Sequence, residues 1–324
     1  MLVFVTPTLE SDRPPPYSYR ARATVPSSKI NDSRVTDDIT SLKPDDVAVL
    51  GKKHSKEDAQ YCITNNIKYI VDVADDKFKT FKHWYFTIPN ANAVTTTCYT
   101  LKDLIKQETK TDSIVIPDPT ERPRGKPKFD PKEGNVNAFY YGSDSNHAKL
   151  RWIVIKNDLN KISKTNVKIM TNITGDMPKL HKIVKKIPGY FNTTKKERDT
   201  LDKQILEEYK SLIPWDFNKQ GELVKEADFV LLPVVSDRHS SCKGNNRPID
   251  ALQQGRMVLT TPGIPSYHDL EKFLYIGDLG KKYQEMLNNP EEVLRKIKKA
   301  QAFIDRTYTP KAIANKWEEV YKTV

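Results

Sequence analysis

Lys243, Asn246, Arg247 and Asp250 have the residue types and spacing to hold a nucleotide. The stretch between Asp228 and Gly263 predicts a buried strand over Phe229 to Val235, a polar loop, and a helix opening near Asn246 and closing at Gly255. A second strand is expected over Met257 to Thr261. A helix N-terminus presents unpaired N–H groups and the positive end of the helix dipole, so Lys243 and Arg247 placed there make a phosphate site. Arg247 and Asp250 are three residues apart and share a helix face. One can then hold a diphosphate and the other a ribose hydroxyl.

The elements that must position these residues alternate along the whole chain. Strands are expected at Leu2–Thr6, Val47–Leu50, Lys68–Val73, Ala93–Thr97 and Ser113–Pro117, with helices after Ser55, which reads as an N-cap, and from Thr100. The segment Pro117 to Gly134 then brings five prolines and two glycines and reads as a linker. The alternation resumes with a strand at Asn137–Tyr141, a helix at His147–Lys156, a strand at Val167–Met170, and helices at Lys195–Leu212 and Gln220–Lys225. Helical segments from Asp269 to Tyr321 close the chain. Such alternation implies α/β architecture with parallel sheets. The expected division is a first Rossmann-like domain over 1–118, a linker over 119–135, a second domain over 136–305, and a last segment over 306–324.

In a doubly wound sheet, ligands bind at the carboxyl ends of the strands. Gly142 and Ser143 follow the first strand of the second half, where a glycine lets the backbone approach a phosphate. In the first half, Arg20 and Arg22 follow the first strand and can face a cleft to offset phosphate charge. Asp72, Asp75 and Asp76 end another strand, and Asp75 is the candidate base toward an acceptor hydroxyl. An ordinary βα turn, a salt-bridged surface helix start and a solvated acidic turn are the structural alternatives for these groups.

No run of the sequence is long and apolar enough to span a bilayer. The opening MLVFVTPTLESDR reads as a core strand and not a signal peptide, and Cys62, Cys98 and Cys242 form neither a disulfide framework nor a zinc cluster. A cytoplasmic protein is the expectation. No HxxxH, HExxH or DxD spacing appears, and no cofactor or metal is expected. The absence of Walker, GxGxxG and GxSxG motifs argues against an NTPase, a dehydrogenase and an α/β-hydrolase. The formal charge is +11, and the lysine-rich segment 179–196 supplies much of the excess. Such an excess favours an anionic partner or marks a solvated surface.

The motif Lys243-Gly-Asn-Asn-Arg247-Pro-Ile-Asp250-Ala-Leu-Gln-Gln-Gly255 resembles the KxNNRxxEAxxxG signature of GT-B nucleotide-sugar glycosyltransferases. Ala227-Asp228-Phe-Val-Leu-Leu-Pro233 is similar to the strand that precedes it there. Arg20-Ala-Arg22, Val71 to Asp76 and Tyr141 to Asn146 also resemble family segments. The resemblance implies two Rossmann-like domains facing a central cleft, with the last helix crossing back to the first. It also implies sugar transfer from a nucleoside diphosphate sugar without an obligatory metal. Lys243 and Arg247 would stabilise the leaving diphosphate, and Asp250 would hold the ribose. One departure stands out: retaining members often carry Glu where this chain has Cys242.

Two acceptors fit the charge pattern. A hydroxylated base in DNA, as for phage DNA-modifying members, would need phosphate contacts from a basic patch such as 179–196. A cell-surface glycan or lipid-linked sugar would instead use the same basic surface against a membrane. A non-catalytic nucleic-acid-binding protein on a degenerate transferase fold is a third reading.

Overall fold

A computed structural model describes residues 1–6, 20–131, 135–142, 152–171, 211–234 and 237–324. Ser143 and the segment 179–196 lie outside them, as do the proposed helix Lys195–Leu212 up to residue 210 and the start of the helix proposed at His147.

The first half carries a parallel sheet of β1 (Leu2–Val5), β2 (Ser33–Thr36), β3 (Val47–Leu50), β4 (Lys68–Val73), β5 (Ala93–Thr96) and β6 (Ile114–Val115), in the order β2-β1-β3-β4-β5-β6. The inner strands β1, β3, β4 and β5 are short, Val-rich runs buried on both faces, as parallel strands under helices must be, and the edge strands β2 and β6 are only partly buried. α1 (Lys56–Thr64) starts at a capping box: Ser55 Oγ accepts from Asp58 N at 3.1 Å, and the Asp58 carboxylate accepts from Ser55 N at 2.7 Å. α2 (Tyr99–Thr109) ends with Lys110 in the left-handed conformation.

The second half repeats the plan with β7 (Val136–Gly142), β8 (Thr165–Thr171), β9 (Ile213–Pro214), β10 (Phe229–Leu231), β11 (Met257–Thr260) and β12 (Tyr275–Ile276), ordered β12-β11-β10-β7-β8-β9 and parallel throughout. Its longer described α-helices are α3 (Trp152–Asn160), α4 (Phe217–Glu226), α5 (Asn246–Gln253), α6 (Leu279–Asn288), α7 (Pro290–Thr307) and α8 (Pro310–Thr323). The order reverses between β7 and β10, and between β1 and β3 in the first sheet. The strand connections diverge at those points and leave a crevice.

α8 belongs by chain order to the second half but packs on the first. Its Ile313, Ala314, Trp317 and Val320 share a core with Leu2, Phe4, Val47, Val49 and Ile70. Trp317 is fully buried, edge-on to Phe4 at 5.3 Å, and such burial stabilises by roughly 3 kcal/mol. The described part of the proline-rich connection, up to residue 131, is also docked. Gly125 N donates to Gln253 O at 2.8 Å and Lys128 N to Gly255 O at 3.0 Å. Gly255 has φ of +80°, and a Cβ there would lie 2.3 Å from Lys126 O, so only glycine closes α5 against this segment. A composition that looks loose is therefore held by backbone bonds to the end of α5.

Candidate active site

Arg247 lies in the first turn of α5, at the β7/β10 reversal of the second sheet. Two bonds fix it there: its Nη1 donates to Tyr141 O at 3.2 Å, and the Tyr141 hydroxyl donates to Arg247 O at 2.8 Å. Tyr140, Tyr141 and Tyr267, all buried, surround the guanidinium, and burial pushes the Tyr141 hydroxyl above its ordinary pKa. Among the described residues no carboxylate lies within 4 Å of Arg247. Gly142 is what lets the side chains meet. A Cβ at that position would stand 2.5 Å from the Tyr140 hydroxyl and 3.1 Å from Arg247 Nη1. Asn246 takes the first position of α5, and its carboxamide oxygen accepts from Arg247 N at 2.8 Å.

Lys243 precedes the helix and reaches across to the first domain, 3.2 Å from Asp75 Oδ1. Burial lowers its pKa, Asp75 opposes that shift, and the positive charges of Lys52 and Arg247 add to the lowering. The other oxygen of Asp75 is bonded by Lys52. Burial alone would raise the Asp75 pKa. The two ammonium groups outweigh it and hold the carboxyl below its usual range.

Asp250, one turn beyond Arg247, is buried under the interdomain connection. Its Oδ1 accepts from Thr120 Oγ1 and from Glu121 N, both at 3.2 Å. Burial, reinforced by the charge of Glu121, pushes its pKa up to about 7, against Arg122 and these two hydrogen bonds.

Arg20 and Arg22 sit at the junction of the domains with partners of their own. Arg22 is buried and holds Asp72 through two bonds, Nε at 2.9 Å and Nη2 at 2.5 Å, while its Nη1 donates to Ile116 O. Thr95 Oγ1 donates to the same Asp72 at 2.7 Å. Arg20 grips Glu121 through two bonds of 2.6 Å, and its guanidinium stacks 3.6 Å from the centre of the Phe217 ring. Arg122 lies 3.5 Å from the same ring. Arg22 therefore ties β4 to the start of the connection, Arg20 ties the first domain to Glu121 and α4, and both spend their charge locally.

The geometry adds residues that the sequence did not single out: Lys52, Glu121, Arg122 and the three tyrosines around Arg247. Lys52 carried a signal, since Gly51-Lys52 directly follows a β-branched strand. The tyrosines carried none, because an aromatic on a buried strand is ordinary core. Cys242 packs into the core cluster of the first domain, near Cys98. Among the described residues no group of three His, Cys, Asp or Glu is placed to hold a metal, and no helix is long and apolar enough to cross a membrane.

No family model and no curated protein matches the chain. Solved structures do. HepE of Anabaena, determined in complex with UDP, is 10% identical over 100% of both chains, with a TM-score of 0.66. The trehalose-6-phosphate synthase OtsA is 10% identical, with a TM-score of 0.62 over 89% of this chain and 74% of its own. TarM of S. aureus is 14% identical, with a TM-score of 0.58 over 86% of this chain, which spans only 55% of TarM's length. Two parallel six-stranded sheets with facing carboxyl ends, and a last helix returned to the first, give this chain the GT-B fold that these neighbours share.

Proposed function

We propose that the protein is a glycosyltransferase that moves a sugar from a nucleoside diphosphate sugar to an acceptor hydroxyl. The observation that carries this reading is Arg247, an arginine without a carboxylate partner among the described residues, at the strand-order reversal of the second sheet and beside Lys243. When the bond from the sugar's anomeric carbon to the diphosphate breaks, its electrons pass to the leaving phosphate. Fixed positive groups stabilise that charge most when their orientation is set beforehand. Arg247 is so fixed, by Tyr141 and by the room Gly142 leaves. Asp250 is the proposed ribose ligand. Hydroxyls donating to it favour its ionised form and so draw its raised pKa back down. The neighbours with UDP bound support the nucleotide assignment by fold.

The acceptor belongs on the first domain, at the β1/β3 reversal, where Lys52 and Asp75 stand opposite Lys243. Asp75 is ionised there, but its two ammonium partners make it a weak base. The arrangement favours a charge clamp over proton removal from an acceptor. For the acceptor itself we propose a hydroxylated base in DNA, a choice carried by the net charge of +11. The basic segment 179–196 lies outside the described residues.

Thermal stabilisation across nucleoside diphosphates and their sugars tests the donor site, with Arg247→Ala and Lys243→Ala alongside. Selective stabilisation lost in both variants is expected, and a flat response from the unsubstituted protein overturns the proposal. Transfer of radiolabelled sugar to a hydroxymethylated oligonucleotide, compared with glycan and lipid-linked acceptors, decides the acceptor.

A further inference from the structure

We propose that the Asp75 carboxylate is an internal anion seated between Lys52 and Lys243 at the place where a phosphoryl group of the donor binds. Lys52 is then the first domain's part of the diphosphate site, and Asp75 is a brake on anion binding. This deepens the proposed function and rests on it.

Two ammonium groups from different domains meet the two oxygens of one carboxylate: Lys243 on Oδ1 at 3.2 Å and Lys52 on Oδ2. The side chains of Lys52, Asp75 and Lys243 are 20%, 13% and 29% exposed, so the cluster is sheltered yet open to a ligand. Arg247 is near enough for its charge to act on Lys243. Two ammonium groups therefore converge on one carboxylate, and one positive charge of the triad is left over. Carboxylate and phosphoryl oxygens accept the same short, charge-assisted bonds from ammonium groups. A group that carries more negative charge than one carboxylate neutralises this cluster better than Asp75 does.

Lys52 is also well founded. It follows Gly51, whose N–H donates to Val5 O at 3.3 Å and whose carbonyl accepts from His54 N at 3.0 Å. The His54 ring bridges Gly51 O at 2.8 Å and Thr87 Oγ1 at 2.9 Å. This turn sits at the β1/β3 reversal, facing Lys243 across the cleft. The ammonium group is thus delivered from a fixed backbone, as a positioning residue for an anion must be.

The test is calorimetric titration of the full chain with UDP, ADP and GDP, and with uridine as the phosphate-free probe. Asp75→Asn keeps the shape and removes the charge. It should tighten the preferred diphosphate by about threefold to tenfold, because one repulsive charge is lost at short range. Lys52→Ala, and Lys52→Met as a second variant of similar bulk, should weaken it by roughly tenfold through loss of a charge-assisted bond. Uridine affinity should stay the same in all three. Shifts of opposite sign cannot come from a shared folding defect, and thermal midpoints check each variant. Unchanged or weakened diphosphate binding in Asp75→Asn overturns the inference, as does unchanged binding in both Lys52 variants. Loss of turnover in Asp75→Asn at unchanged UDP affinity also overturns it and makes Asp75 a base. If the unsubstituted chain binds none of the three diphosphates, the proposed function itself fails and this inference with it.

Discussion

Each half of the molecule places an arginine at the carboxyl ends of its strands, Arg22 on the first sheet and Arg247 on the second. Around Arg22 the groups are acidic: Asp72 grips it through two bonds and Asp118 stands 3.5 Å away. Around Arg247 they are tyrosines and a backbone carbonyl. A buried guanidinium with a carboxylate in hand is satisfied and binds the structure together. One held only by neutral acceptors keeps a charge that an arriving anion can use. The same residue type in the same topological place is thus a rivet in one domain and a candidate site in the other, and the counterion makes the difference.

Breaking the pair should give effects of different kinds. Arg22→Ala leaves Asp72 buried and unpaired, and should cost about 3–5 kcal/mol of stability; denaturant unfolding measures this. Arg247→Ala should instead lower kcat/KM by roughly 100-fold to 1000-fold, as expected for losing a donor to developing charge, with a thermal midpoint close to that of the unsubstituted chain. Equal stability losses in the two variants would erase the distinction drawn here. Gly142→Ala sharpens it, since the new methyl must displace Tyr140 or Arg247. We expect a loss of about 1–3 kcal/mol from overpacking, together with weaker UDP binding by calorimetry.

Acid groups distinguish the halves by pH. Asp250, raised to about 7 chiefly by burial, binds more protons folded than unfolded from about pH 4 to 7. Its contribution to stability is therefore complete below its unfolded pKa and lost as pH rises through about 7. Asp118, raised to about 6 by burial, acts in the same direction over a lower window. The thermal midpoint of the free protein should fall between pH 5 and 7.5, and Asp250→Asn should remove roughly two-thirds of the fall that these two groups cause. An unchanged slope would mean that the carboxyl is solvated. The smallest effect is expected at the exposed cross-domain pair of Arg238 with Asp76 and Glu108. Arg238→Ala should change stability by less than about 1 kcal/mol, because solvent screens such pairs; a larger shift in the unfolding midpoint would show that the rim also locks the domains.

Much of the fold was legible in the residues. β1, β3, β4, β5 and β7 coincide closely with apolar runs, and Ser55 caps α1 through Asp58 as its position suggested. Less legible were β2, β9 and β12. They are two to four residues long, and Ser33–Thr36 is only partly buried, so no apolar run announces them. The proline-rich connection reads as a linker because its anchors, backbone groups and polar side chains alike, find their partners in distant segments, which composition does not report. Of the candidate site, Arg247, Lys243 and Asp250 are candidates from one short motif, whereas Lys52 and the tyrosine surround carry no such signal.

By itself the sequence determined the α/β alternation, the helix that presents Arg247 with Lys243 just before it, and the glycines at 142 and 255, because periodicity, caps and steric room are local properties. Only the tertiary structure decided which charges are spent. Arg22 meets Asp72 from 50 residues away, and Lys243 meets Asp75 from 168. Whether a charged side chain is a structural tie or a binding group depends on its counterion and its burial, and both are set when distant segments pack together.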